Sequence, residues 1–197
     1  MLQDESPARP GRRPVTTREE LELVARELFA ERGFEATTVD DIAAAAGIGR
    51  RTFFRYFASK NDVVWGDFDR GLDELRDRLD AAPGPLLEVL REAVLAFNRL
   101  EAADVAWHRA RMTLILEVPA LQAHSTLRYA AWRAVVADHA ARRLGRPADD
   151  LLPQLVAHLC LGAALSAYEQ WLRDPGADLQ SLLDQALRAL DGSWATA

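Results

Sequence analysis

Between Gly47 and Lys60 the chain carries Arg50, Arg51, Arg55 and Lys60 and no acidic residue, although its formal net charge is -6. A cationic cluster on an acidic chain calls for an anionic partner met at one place, not for general attraction to polyanions. If the segment is a helix with Phe53 and Phe57 on its inner face, Arg51 and Arg55 point outward. Thr52 and Phe54 flank them, and Arg50 and Tyr56 lie nearer the edges. An arginine fork pairs bidentately with guanine O6 and N7, and a threonine meets a thymine methyl or donates a hydrogen bond. This face therefore suits a DNA major groove, with Arg50 and Tyr56 towards the sugar-phosphate rails. Lys60, at the start of a following helix, stands where a phosphate would be held. Thr38, which opens the preceding helix, is counted with these DNA contacts.

Such a face needs a small scaffold, and the neighbouring residues supply one. Leu21, Val24, Ala25, Leu28 and Phe29 recur with helical period and predict a first helix from Thr17 to Arg32. Gly33 ends it, and Phe34 is placed to fold back on its last turn. Thr38 and Asp41 form a capping-box variant that starts a second helix, with Val39, Ile42, Ala43 and Ala46 as its apolar stripe. Gly47-Ile48-Gly49 then breaks the period before the third helix. The pattern is a helix-turn-helix between Val39 and Phe57.

Beyond Asn61 the periodicity predicts helices at about 61–81, 86–100, 104–117, 120–144, 151–172 and 178–190, separated by Pro and Gly clusters. No segment reads as a strand, so the expected fold is all-α with about nine helices. From Pro153 to Tyr168 no residue is charged, so that helix must be covered on most sides. A membrane span is disfavoured there, because the run is short and contains Pro153, Gln154, His158 and Ser166.

Cys160 is the sole cysteine, which excludes an internal disulfide and a cysteine-based zinc site. Met1 to Pro14 has no apolar run and reads as neither signal peptide nor anchor, so a cytoplasmic location is expected. Residues 1–15 are read as a flexible basic arm in which Arg9, Arg12 and Arg13, with Arg18 beyond it, could follow a phosphate rail or enter a minor groove. His108, His124 or Cys160 could do acid-base or nucleophilic work, but no phosphate loop, serine elbow or ligand pair assembles them. His158 and Cys160 point about 200° apart on a helix and cannot share a metal. No catalytic or metal residues are assigned.

The run from Thr37 to Ile48, followed by Arg50-Arg51-Thr52-Phe53-Phe54-Arg55-Tyr56-Phe57-Ala58-Ser59-Lys60, resembles the signature of the TetR family of regulators. The resemblance implies a DNA-binding domain at 16–60 and a helical ligand-binding and dimerisation domain at 61–197. It also implies base contact by Thr52, phosphate contact by Tyr56 and Lys60, and burial of Phe53 and Phe57. Gly49 replaces the family's usual Ser or Thr cap, Phe54 a phosphate-bonding tyrosine, and Arg51 a small residue. The segments 59–69 and 118–129 are similar to the TetR-type regulators of mycofactocin loci, which implies target genes for that redox cofactor.

The resemblance implies a pocket in the body, and Phe97, Trp107, Met112, Trp132, Tyr168 and Trp171 are large enough to line one. His108, Arg111, His124, Arg128, Arg133 and His158 are candidate polar groups to orient a ligand in it. An apolar pocket with arginines at its mouth would suit an amphipathic effector such as an acyl-CoA, with no other cofactor. The last two helices are expected to pair across a twofold axis, with Gly162, Ala163 and Ala164 allowing close approach and Leu179, Leu183 and Leu187 forming a seam. The reading is thus a homodimeric repressor of a palindromic double-stranded operator, without a membrane partner. A constitutive DNA-binding factor without an effector is the alternative, and a small helical enzyme a remote one.

Overall fold

The computed structural model describes residues 17–191, which contain ten α-helices and no strand. They divide into two compact units, one ending at Val63 and the other beginning at Val64. The expected arm at 1–15 lies outside the described residues.

In the first unit, α1 (Arg18–Arg32), α2 (Val39–Ala45) and α3 (Arg50–Tyr56) close around Leu21, Ala25, Phe29, Ile42, Phe53 and Phe57, all buried. Thr17 and Glu20 form a full capping box on α1, and Thr38 and Asp41 one on α2. Gly33, at φ 83, ends α1, and Phe34 folds back so that its ring lies 5.0 Å from that of Phe29. Thr37, the first residue of the family-like run, is fully buried and its hydroxyl donates to Gly33 O at 2.8 Å.

α4 (Lys60–Trp65) and α5 (Phe68–Ala81) correspond to a single helix expected from 61 to 81. Gly66, at φ 53, leaves the helical region and breaks that helix in two. The body continues with α6 (Leu86–Phe97), a 3-10 turn (Ala102–Asp104), α7 (Val105–Glu117), α8 (Pro119–Leu144), α9 (Leu151–Arg173) and α10 (Leu179–Arg188). α9 packs most extensively on α8 and α10, while α5 packs on α6 and α8. Arg91 of α6 pairs with Asp184 of α10 at 2.5 Å, which pins the two helices together, and Arg188 of α10 holds the same carboxylate at 2.8 Å.

α9 departs from expectation. Pro153, Ala157, Cys160, Ala164, Ala167, Tyr168 and Trp171 are buried, but Leu151, Leu152, Leu155 and Leu159 are exposed, Leu151 at 78 %. Its apolar character therefore serves two faces, and only one is buried among the described residues. By length and composition it is also the single helix among the described residues that could cross a membrane.

Candidate DNA-binding face and ligand cavity

On α3 the buried Phe53 and Phe57 turn Arg50, Arg51, Phe54 and Arg55 to the surface, with Thr52 and Tyr56 half-buried beside them. Thr38, the N-cap of α2, is exposed as well. Gly49 caps α3 without a side-chain bond, and its carbonyl accepts from Thr52 N at 2.8 Å. Gly47, at φ 66, makes the turn that separates the two helices.

The cations on this face are held differently. Arg50 Nη1 pairs with Asp40 at 2.8 Å, and its guanidinium lies 5.4 Å from the Phe54 ring. Arg55 lies 5.1 Å from the Tyr56 ring and donates to its hydroxyl at 3.3 Å. Arg51 is exposed on the surface of α3.

Two basic residues expected at DNA phosphates are engaged within the unit. Lys60 Nζ donates to Phe34 O at 2.6 Å and Thr37 O at 2.8 Å and sits 4.2 Å from the Phe34 ring. Desolvation pushes its pKa below the ordinary lysine value. This ammonium ties down the turn between α1 and α2, and its third N–H is left for any further acceptor. Arg18 donates to Tyr56 O at 2.9 Å and covers the Phe57 ring at 4.3 Å. It thus closes the C-terminal end of α3, where carbonyls lack helical partners.

The second unit contains a cavity of about 260 Å³. α7 contributes His108, Arg111, Met112 and Ile115, a stripe at helical spacing, and α9 contributes Leu161, Ala164, Leu165 and Tyr168 on a matching stripe. Trp65, Asp67, Phe68, Gly71, Phe97, Asn98, Tyr129 and Trp132 complete the wall. A Cβ on Gly71 would stand 3.2 Å from the Phe97 ring, so glycine is what lets that ring close the wall.

Of the expected pocket residues, Phe97, His108, Arg111, Met112, Trp132 and Tyr168 meet here, and six do not. Trp171 is buried outside the wall with the Arg109 guanidinium 4.0 Å from its ring, and Arg133 is half-buried away from the cavity. Trp107 directly precedes His108 and so points about 100° away from the cavity. Arg128 turns to Asp69, 2.9 Å away. His124 packs beside Trp65, ring centroids 6.5 Å apart, without reaching the wall. His158 falls on the exposed N-terminal half of α9, where it bonds Gln154 O at 2.8 Å. Trp65 and Tyr129 were not foreseen, because nothing in helical periodicity separates a cavity wall from solid core.

A buried chain of hydrogen bonds runs along this wall. Asn98 Nδ2 donates to Val94 O at 2.8 Å, which leaves Oδ1 to accept from the Tyr168 hydroxyl at 2.8 Å. Tyr168 therefore accepts from His108 Nε2–H at 2.8 Å, and His108 Nδ1 accepts from Arg111 at 2.8 Å. Arginine can only donate, so the direction is fixed from both ends. Burial, and secondarily the Arg111 charge, depress the His108 pKa to about 3. The ring is neutral at physiological pH. Cys160 is buried and its thiol is pushed up to about 12, so it is held protonated.

The interface seam expected on α10 is not available to a second copy. Leu179, Leu183 and Leu187 are buried against the chain's own α6 and α9, and Ala164 belongs to the cavity wall. Gly162 remains exposed and Ala163 half-buried.

Known proteins agree with this architecture. Residues 23–64 match the family described as bacterial regulatory proteins, tetR family, and residues 84–195 match the MftR C-terminal domain. A Mycobacterium tuberculosis protein named for a mycofactocin biosynthesis transcriptional regulator, MftR, is 50% identical over 181 residues, 91% of each chain. Among solved structures, FadR of Bacillus halodurans, a fatty acid degradation regulator, shares the fold at TM-score 0.62 and 18% identity, over 88% of this chain and 97% of its own. FadR of Thermus thermophilus, a repressor crystallised with lauroyl-CoA, aligns at TM-score 0.58 and 26% identity, over 88% and 93%. From the outward face of α3 to the last helix of the body, the chain belongs to the TetR family of bacterial DNA-binding regulators, close to MftR, and is not an enzyme.

Proposed function

We propose that this chain is a ligand-responsive repressor that binds a palindromic operator as a homodimer and leaves it when a small amphipathic effector occupies the cavity. The observation that carries this reading is the pairing of an outward arginine face on α3 with an apolar cavity in the other unit. Arg51 and Arg55 read guanines, Thr52 meets an adjacent base, and Thr38, Arg50, Phe54 and Tyr56 border the phosphates. The exposed stripe of α9, with Leu151, Leu155, Leu159 and Gly162, pairs two copies. That use of the helix supports a soluble, cytoplasmic dimer over a membrane span. Effector binding shifts the DNA-competent population only by its differential affinity for the two states.

The likeness to MftR supports target genes of mycofactocin biosynthesis. The likeness to the lauroyl-CoA complex supports an acyl-CoA effector, with the acyl segment in the cavity. Footprinting of the DNA beside its own gene tests the reading. Two protected half-sites, with centres about 34 Å or a multiple apart, are expected. The absence of any protected palindrome overturns the repressor reading, and unchanged protection with lauroyl-CoA removes the acyl-CoA part.

A further inference from the structure

Two polar atoms in the cavity wall stand outside the hydrogen-bonded chain from Arg111 to Val94. Trp65 Nε1 and Tyr129 OH are buried and have no hydrogen-bond partner among the described residues, and both side chains line the cavity. Their rings meet edge to face, centroids 5.7 Å apart with planes at 81°. An indole N–H can only donate, and a phenol hydroxyl is able to. Burial pushes Tyr129 up to about 12, so its hydroxyl keeps a proton to give.

Buried donors without acceptors are costly and rare in native proteins. Two of them on touching rings in one cavity mark a place for an acceptor. Arg111 adds a positive charge to the same cavity. The single carboxylate of the wall, Asp67, is paired with Arg70 at 3.1 Å. The remaining surface is largely apolar, and about 260 Å³ holds on the order of ten non-hydrogen atoms.

We propose that Trp65 Nε1 and Tyr129 OH form an oxygen-acceptor subsite that takes the carboxylate of a compact aliphatic or aromatic acid, its apolar body lying against Phe68, Phe97 and Met112. A neutral ketone would satisfy the two donors but make no use of the Arg111 charge. The inference rests on this cavity being the effector site, and it puts a free acid in place of the acyl-CoA as the occupant.

Calorimetric titration of the full chain, without DNA, tests it with octanoate, octanoyl-CoA and toluene. Octanoate binds the wild type, and Tyr129→Phe weakens it by about tenfold or more. Toluene, which has no acceptor, binds both equally. Trp65→Phe removes the other donor and weakens octanoate in the same sense. The ligand-free Tyr129→Phe protein melts at a higher temperature, because it no longer buries an unsatisfied hydroxyl. Octanoate bound equally by wild type and Tyr129→Phe, or toluene weakened together with octanoate, overturns the subsite. Octanoyl-CoA bound in a Tyr129-dependent way while octanoate is not assigns the subsite to a thioester carbonyl and overturns the carboxylate. A chain that binds octanoate as expected yet is not released by it from its operator supports the subsite and removes the effector role.

Discussion

Arg51 and Lys60 carry the same charge within one cationic run, and their surroundings give them different tasks. Arg51 stands on the open face of α3, so Arg51→Ala should cost about 1–3 kcal/mol of operator binding per half-site and relax base preference there. Competition binding with operator variants measures this, and equal loss on every sequence would speak for a phosphate contact instead. Lys60 is bonded inward, so Lys60→Met should destabilise the fold by about 1–3 kcal/mol in denaturant, through two carbonyls left without their donor. The salt dependence of DNA binding should change little. His108 adds a pH signature. Its folded pKa, about 3, lies below the ordinary 6.5, so between these values the unfolded chain binds a proton that the folded chain does not. Stability should therefore fall by about 1.4 kcal/mol per unit as the pH drops through that window, and be unaffected by this group above it. Unfolding curves of wild type and His108→Gln, compared at about pH 4 and pH 7, should differ by this slope.

At the scale of elements, the two glycines before α3 are alike in sequence and unlike in conformation. Gly47 has φ 66, and although a Cβ there would touch nothing, Gly47→Ala should cost roughly 1–2 kcal/mol for the left-handed backbone alone. Gly49 has φ -83, open to any residue, so Gly49→Ser should gain a few tenths of a kcal/mol by supplying the missing cap. Thermal unfolding of both variants checks the contrast. The caps at Thr38 and the fold-back of Phe34 were legible in the sequence, because local rules with named residues govern them. The break at Gly66 was not, since an isolated glycine inside an apolar period also occurs in unbroken helices. Nor was the cavity wall, which depends on which stripes of α7, α8 and α9 converge. The bonds of Lys60 and Arg18 to distant carbonyls were hidden for the same reason: a cation in a basic run gives no sign of the acceptor it will find.

At the scale of the whole molecule, α9 has one face in the core and another that is exposed among the described residues. The sequence showed the absence of charge but not its division between two tasks, and it assigned the buried leucines of α10 to the outer one. Leu155→Glu with Leu159→Glu should give a folded monomer with weakened operator binding, whereas Leu183→Ala should cost about 2–5 kcal/mol of stability. Sedimentation and denaturant unfolding separate the two, and a Leu155/Leu159 variant that stays dimeric would move the interface elsewhere. The one-way chain from Arg111 through His108 and Tyr168 to Asn98 bears on how such a molecule can diversify. Substitution at any one of its members strands a neighbour, at a cost of about 1–3 kcal/mol, so drift at those positions is favoured as a joint change, while Met112, Ile115, Leu161 and Leu165 can be exchanged one at a time. New ligand preferences in this lineage would then arise first as altered shape in the apolar wall, against a polar frame inherited as a block.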